Sequence, residues 1–235
     1  MRDALTIELQ RPQRWDLAPY EAQQTQLALA SAVVTEDDFG PVHLVAGIEV
    51  AHSRFSDQLT VAVAVMRLPE MVVVEKRVVE YTTRFPFIPD LVSFREVPAI
   101  VEALAQLRAT PDLLIVGAPG VAHAKGLGTA SHVGVVTGIP TIGCARANSV
   151  GSFVEPEIGA GSVSSLVWQG EIIGVVYRSK NRVAPLFISS GHRVSRDTAA
   201  RLVREQCHGY RFPEPLRHAS NLLNENRQSS RVVAG

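Results

Sequence analysis

Dense valine runs broken by short polar segments set the first pattern along this chain. Val42–Ala51, Leu59–Met66 and Met71–Tyr81 are rich in β-branched residues and separated by polar or proline-bearing turns, which predicts three strands in an antiparallel meander. Ahead of them, Ala18–Ala32 is rich in helix formers and sets Ala22, Leu27, Leu29 and Ala30 on or near one side. That pattern predicts an amphipathic covering helix. Arg84–Asp90 reads RFPFIPD, where two prolines forbid a regular element and leave Phe85 and Phe87 on a stiff loop. Ser93–Leu107 is then a helix, with Ser93 as its cap and Glu96 as the reciprocal capping partner.

The stretch Asp112–Arg146 contains a strand, a glycine-rich turn, a helix and a second strand, a βαβ unit. Its apolar run Leu113–Val116 is too short for a helix and is closed by Gly117, Pro119 and Gly120, so it reads as a buried strand. The turn delivers His123 and Lys125 at the C-terminal end of that strand, where open α/β sheets place ligands. Residues 151–161 form a glycine- and proline-bearing loop, long enough for a flap or a partner contact. Strands follow at Val163–Trp168, Ile172–Tyr177 and Leu186–Ser189. The last leads through a turn bearing His192 into a helix capped by Ser195 or Asp197. Residues 226–235 are expected to be a flexible tail, leaving one domain over 1–225. The order of elements is that of an α/β, ribonuclease-H-like mixed sheet with helices on both faces. There the first strand and the Leu113 strand lie side by side, and their ends share one cleft.

Composition narrows the setting. The 235 residues, 46% hydrophobic and 20% charged, suit one soluble domain. No apolar run reaches the length of a membrane span, and MRDALTIELQ lacks the regions of an export signal, so a cytoplasmic location with no membrane partner is expected. Cys144 and Cys207 have no metal-site spacing and read as free thiols, Cys144 as a small buried hydrophobe. Basic and acidic residues balance at 23 each, so there is no global charge argument for nucleic acid. His132, mid-helix, reads as a structural histidine.

The segments VAGIEV at 45–50, FPFIPDLVSFRE at 85–96, PDLLIV at 111–116, GVAHAKGLGTASHVG at 120–134, GIPTIGCAR at 138–146, SSGHRVS at 189–195 and RFPEPLRHA at 211–219 together resemble the endonuclease V family. That resemblance implies a metal-dependent nuclease cutting DNA or RNA near deaminated adenine. Carboxylates on the central strands and the following helix would hold Mg²⁺ or Mn²⁺. The family pattern is an aspartate, a glutamate and a second aspartate; here the three positions carry Glu49, Glu96 and Gly117. Asp112 cannot replace the missing aspartate, because it lies at the other end of its strand, about 16 Å away. Arg146 stands at the family's lysine and Phe87 at its wedging tyrosine. The base-reading turn is Gly117-Ala118-Pro119-Gly120 instead of aspartate-glycine-glutamine-glycine, and His52 replaces an aromatic residue. His123 and His192 match family positions near the scissile phosphate.

These departures give the expectation of a divergent member lacking one metal-binding aspartate. Its candidate catalytic residues are Glu49, Glu96, His123, Arg146 and His192, and its candidate substrate-binding residues are His52, Phe87, Ala118, Gly120 and Lys125. No metal is expected, with Glu49 and Glu96 as the ligands should one bind. The first functional expectation is metal-independent elimination or intramolecular displacement of a phosphate- or sulfate-like group on a small anionic substrate in a biosynthetic pathway. Two alternatives stand beside it. One is a metal-dependent endonuclease V acting on inosine-containing DNA or RNA; the other is a non-catalytic binding subunit of a heteromer.

Overall fold

The three valine-rich runs pair as an antiparallel meander of β1 (Leu44–His52), β2 (Gln58–Arg67) and β3 (Val72–Thr82). The computed structural model describes residues 9–11, 13–52 and 55–233; the segment 1–8 read for export signals and the last two residues of the expected tail lie outside them. β4 (Leu113–Val116) runs parallel beside β1, and β5 (Thr141–Ala145) runs parallel beside β4. With β6 (Val163–Trp168), β7 (Glu171–Tyr177) and β8 (Leu186–His192) they form an eight-stranded sheet of order β3-β2-β1-β4-β5-β8-β7-β6.

The helices are α1 (Pro19–Ala30), α2 (Val92–Ala105), α3 (Thr129–Thr137), α4 (Arg196–Glu205) and α5 (Glu214–Val233). Successive strand residues point to opposite faces, so β1 feeds two cores. Ala46 and Ile48 pack with Val97 and Ile100 of α2 and Val133 of α3 on one face. Val45 packs with Leu202 of α4 and Leu216 of α5 on the other. A Cβ on Gly47 would lie 2.1 Å from the Pro215 backbone, so this glycine lets the start of α5 rest directly on β1. Among the described residues, no helix is long and apolar enough to cross a membrane.

Two local expectations are corrected. Ser93 does not cap α2: the helix begins at Val92 after a short 3-10 turn, Pro89–Leu91, and has no side-chain cap. Ser93 is instead buried inside the helix with its Oγ 2.9 Å from His132 Nδ1, because α3 packs on α2 and offers a tertiary partner. β8 runs on to His192, which therefore ends a strand and does not sit on the turn after it. The segment from 226 continues α5 as far as Val233. It extends a helix anchored by Leu216 and Ala219 against the sheet. At α4 the open choice of cap resolves to Ser195, whose Oγ accepts from the Thr198 amide.

Candidate functional site

Because β1, β4 and β5 are parallel, their C-terminal ends bring residues 49–52, Gly117 and Arg146 to one edge of the sheet. A cleft of about 460 Å³ opens there, lined among others by His52, Phe87, Glu96, Ala118, His123 and Arg146. Glu49 is buried beneath its floor, 6% exposed. Arg146 Nη2 donates to Glu49 Oε1 at 2.6 Å and to Ser220 Oγ at 3.1 Å. The guanidinium lies 4.3 Å from the centre of the Phe212 ring, a cation-π distance. Burial pushes the Glu49 pKa up, Arg146 works against that shift, and nearby Glu96 adds to it.

Position 117 belongs to the same arrangement. A Cβ on Gly117 would fall 2.7 Å from the Glu49 carboxyl carbon and one of its oxygens. The extra methylene of Glu49 thus carries its carboxylate into space that any side chain at 117 would need.

Glu96 is held from two sides. Its Oε1 lies 2.9 Å from His52 Nδ1, and its Oε2 accepts from Thr129 Oγ1 at 2.6 Å. The Glu96 carboxylate raises the His52 pKa above its ordinary value, with burial opposing. The His52 ring stands 6.0 Å from that of Phe87, tilted by 43°. His123 also lines the cleft, with Nδ1 accepting from the Lys125 amide at 3.2 Å, and burial lowers its pKa.

Several expected site residues fall elsewhere. The antiparallel register sets His192 against Thr141, at the start of β5, about 16 Å along the strand from Arg146. There its Nδ1 accepts from the Val34 amide, burial brings its pKa down to about 4, and it borders a separate pocket with Asp38 and Arg193. Gly120 is buried against β8; its amide donates to Ser189 Oγ at 3.0 Å, so it does not face the cleft. Lys125 is exposed and outside the lining. Asp112 stays at the far end of β4, accepting from the His43 and Leu44 amides.

Sequence reasoning missed Thr129, Phe212 and Ser220. The motif RFPEPLRHA contains Phe212 and stops one residue short of Ser220, so that signal was within reach. Nothing local marked Thr129 as the partner of Glu96.

A mixed sheet whose parallel central strands end in a shared polar cleft, covered by helices on both faces, defines a ribonuclease-H-like protein. The family model described as Endonuclease V matches residues 27–221. An endonuclease V of Azotobacter vinelandii is 42% identical over 210 residues, covering 89% of this chain and 95% of the relative. The crystal structure of an endonuclease V from Streptomyces avermitilis superimposes with a TM-score of 0.85 at 32% identity, covering 96% of this chain and 99% of that one. A Ciona intestinalis endonuclease V, solved with a 23mer DNA containing an inosine followed by a ribo-adenosine, shares the fold at a TM-score of 0.78 and 24% identity, over 89% of this chain and 97% of that one. The chain belongs to the endonuclease V family.

This membership overturns the expectation of elimination or displacement on a small anionic substrate, since the relatives matched over nearly the whole chain carry the name of a nuclease. The geometry that favoured that chemistry does not assemble either. Arg146 directs one nitrogen to Glu49 and Ser220, and His192 stands at the other end of the sheet.

Proposed function

We propose that this chain acts on nucleic acid as an endonuclease V, engaging a strand that carries a deaminated purine such as inosine. The observation that carries this reading is the 42% identity over almost the whole length of a curated endonuclease V. The cleft supports it. Phe87 supplies an apolar face at the mouth beside His52, suited to stacking on a base, and Ala118 and Pro119 form the turn where a flipped base would sit. Arg146 and Arg211 flank the Phe212 ring, at 4.3 Å and 5.0 Å from its centre, and give the rim the cation and aromatic pairing that single strands favour. The Pro119 position offers no amide, so base reading rests on fewer backbone donors than the family turn provides.

The family resemblance implies a divalent ion, and the donor set does not fit one. Gly117 brings no carboxylate, Glu49 is paired with Arg146, and both oxygens of Glu96 are engaged. Among the described residues no three His, Cys, Asp or Glu side chains converge as a metal-binding group.

The test uses labelled DNA and RNA oligonucleotides with a single inosine and their adenine twins, read for binding and for nicking in Mg²⁺ and in Mn²⁺. Tighter binding of the inosine strand, with any nicking confined to that strand, is expected. Equal treatment of the two strands overturns the proposal.

A further inference from the structure

Two carboxylates at the cleft are already engaged by the protein itself, Glu49 by Arg146 and Glu96 by His52. We propose that Arg146 is the phosphate-binding group of this cleft, so that a nucleic-acid strand is held without a divalent ion. The inference rests on the nucleic-acid reading above and names what contacts the backbone within it.

Steric fit comes first. Glu49 and Gly117 are complementary: the longer acid fills the space that a side chain at 117 would occupy, and the glycine leaves room for it. The cleft is thus built around an arginine-carboxylate pair. A magnesium ion would have to displace Arg146 from a 2.6 Å contact and His52 from a 2.9 Å contact to gain two carboxylates. It demands near-ideal octahedral geometry and gives up its own water reluctantly.

Arg146 also keeps capacity facing the cleft. Arg146 is 41% exposed at its side chain, and Nη2 alone makes its bonds to Glu49 and Ser220. Among the described residues Nε and Nη1 have no hydrogen-bond partner, which leaves a planar edge of N–H donors of the kind that binds phosphate oxygens. Phe212 beneath the guanidinium fixes its plane. Glu96 takes the Nδ1 side of His52, whose ring helps to line the cleft.

Fluorescence anisotropy on the inosine oligonucleotide and its adenine twin, in EDTA and in millimolar Mg²⁺, tests this with the whole chain. The expected result is an affinity in EDTA within about twofold of that in Mg²⁺. Arg146→Gln should weaken binding about tenfold and reduce the salt slope by about one counterion, with Arg146→Lys recovering the slope. Titration of the free protein with Mn²⁺, read by electron paramagnetic resonance, should show no tight uptake. The triple variant Glu49→Asp/Gly117→Asp/Arg146→Lys should gain it. Loss of binding in EDTA, or tight Mn²⁺ uptake by the unaltered protein, overturns the inference while leaving the nucleic-acid reading in place. Binding in EDTA that ignores inosine supports the inference and removes the deaminated-base reading. Absence of binding to either strand in both buffers removes both.

Discussion

Glu49 and Gly117 occupy one space: a Cβ on the glycine would come within 2.7 Å of the glutamate's carboxyl carbon, although Glu49 lies on β1 and Gly117 just past the end of the parallel β4, far apart in the chain. The pair is therefore coupled. Gly117→Ala alone should destabilise the fold by about 1–3 kcal/mol by forcing Glu49 off Arg146. In a Glu49→Asp background the same change should cost less than about 1 kcal/mol. Urea unfolding of the four proteins in this cycle measures the coupling, and simple additivity would show that the two side chains do not share that space.

Gly47 is a contact of another kind, with backbone in place of a side chain. Since a Cβ there would meet the Pro215 carbonyl carbon at 2.1 Å, Gly47→Ala should lift the start of α5 and cost about 3 kcal/mol. The same displacement withdraws Ser220 from Arg146. A melting temperature equal to that of the unaltered protein would contradict the close docking.

The raised pKa of His52 is attributed chiefly to its hydrogen bond with Glu96. Glu96→Gln should therefore lower it, and the imidazole Hε1 resonance followed by NMR across the titration gives the value directly. An unchanged midpoint would place the cause elsewhere.

His132 is fully buried between Ser93 and Gln13, and burial brings its pKa down to about 3 from the ordinary 6.5. His192, at about 4, shifts in the same direction. The unfolded chain binds more protons than the folded one between those values and 6.5, so stability is full above about pH 6.5 and is lost as pH falls toward 3. Melting temperature against pH should drop through that window, less steeply for His132→Gln. Identical slopes for the two proteins would remove His132 as a contributor.

The strands and their sequence order were legible because burial on a pleated sheet imposes a two-residue rhythm, and valine runs with polar breaks carry it. The βαβ unit was legible for a similar reason: Gly117, Pro119 and Gly120 mark where a short buried strand must turn. Local chemistry misled where tertiary partners competed. Ser93 and Glu96 have the spacing of a capping box, yet α3 offers His132 and Thr129 to those same side chains, and the buried partners prevail. His192 was placed in the cleft by its motif, whereas the antiparallel direction of β8 sends it to the opposite end of the sheet.

What the sequence by itself determined is the family, the order of elements and the residue types at the cleft, because these follow from periodicity, turn chemistry and motif spacing along the chain. Only the tertiary structure decided how those residues are paired. The sequence reads as a nuclease framework with one carboxylate missing at Gly117. In three dimensions Glu49 reaches into that space and binds Arg146, and His52 closes Glu96. Such pairings depend on which strand ends adjoin and which way each side chain points, and both are set by packing between segments that the chain order keeps far apart.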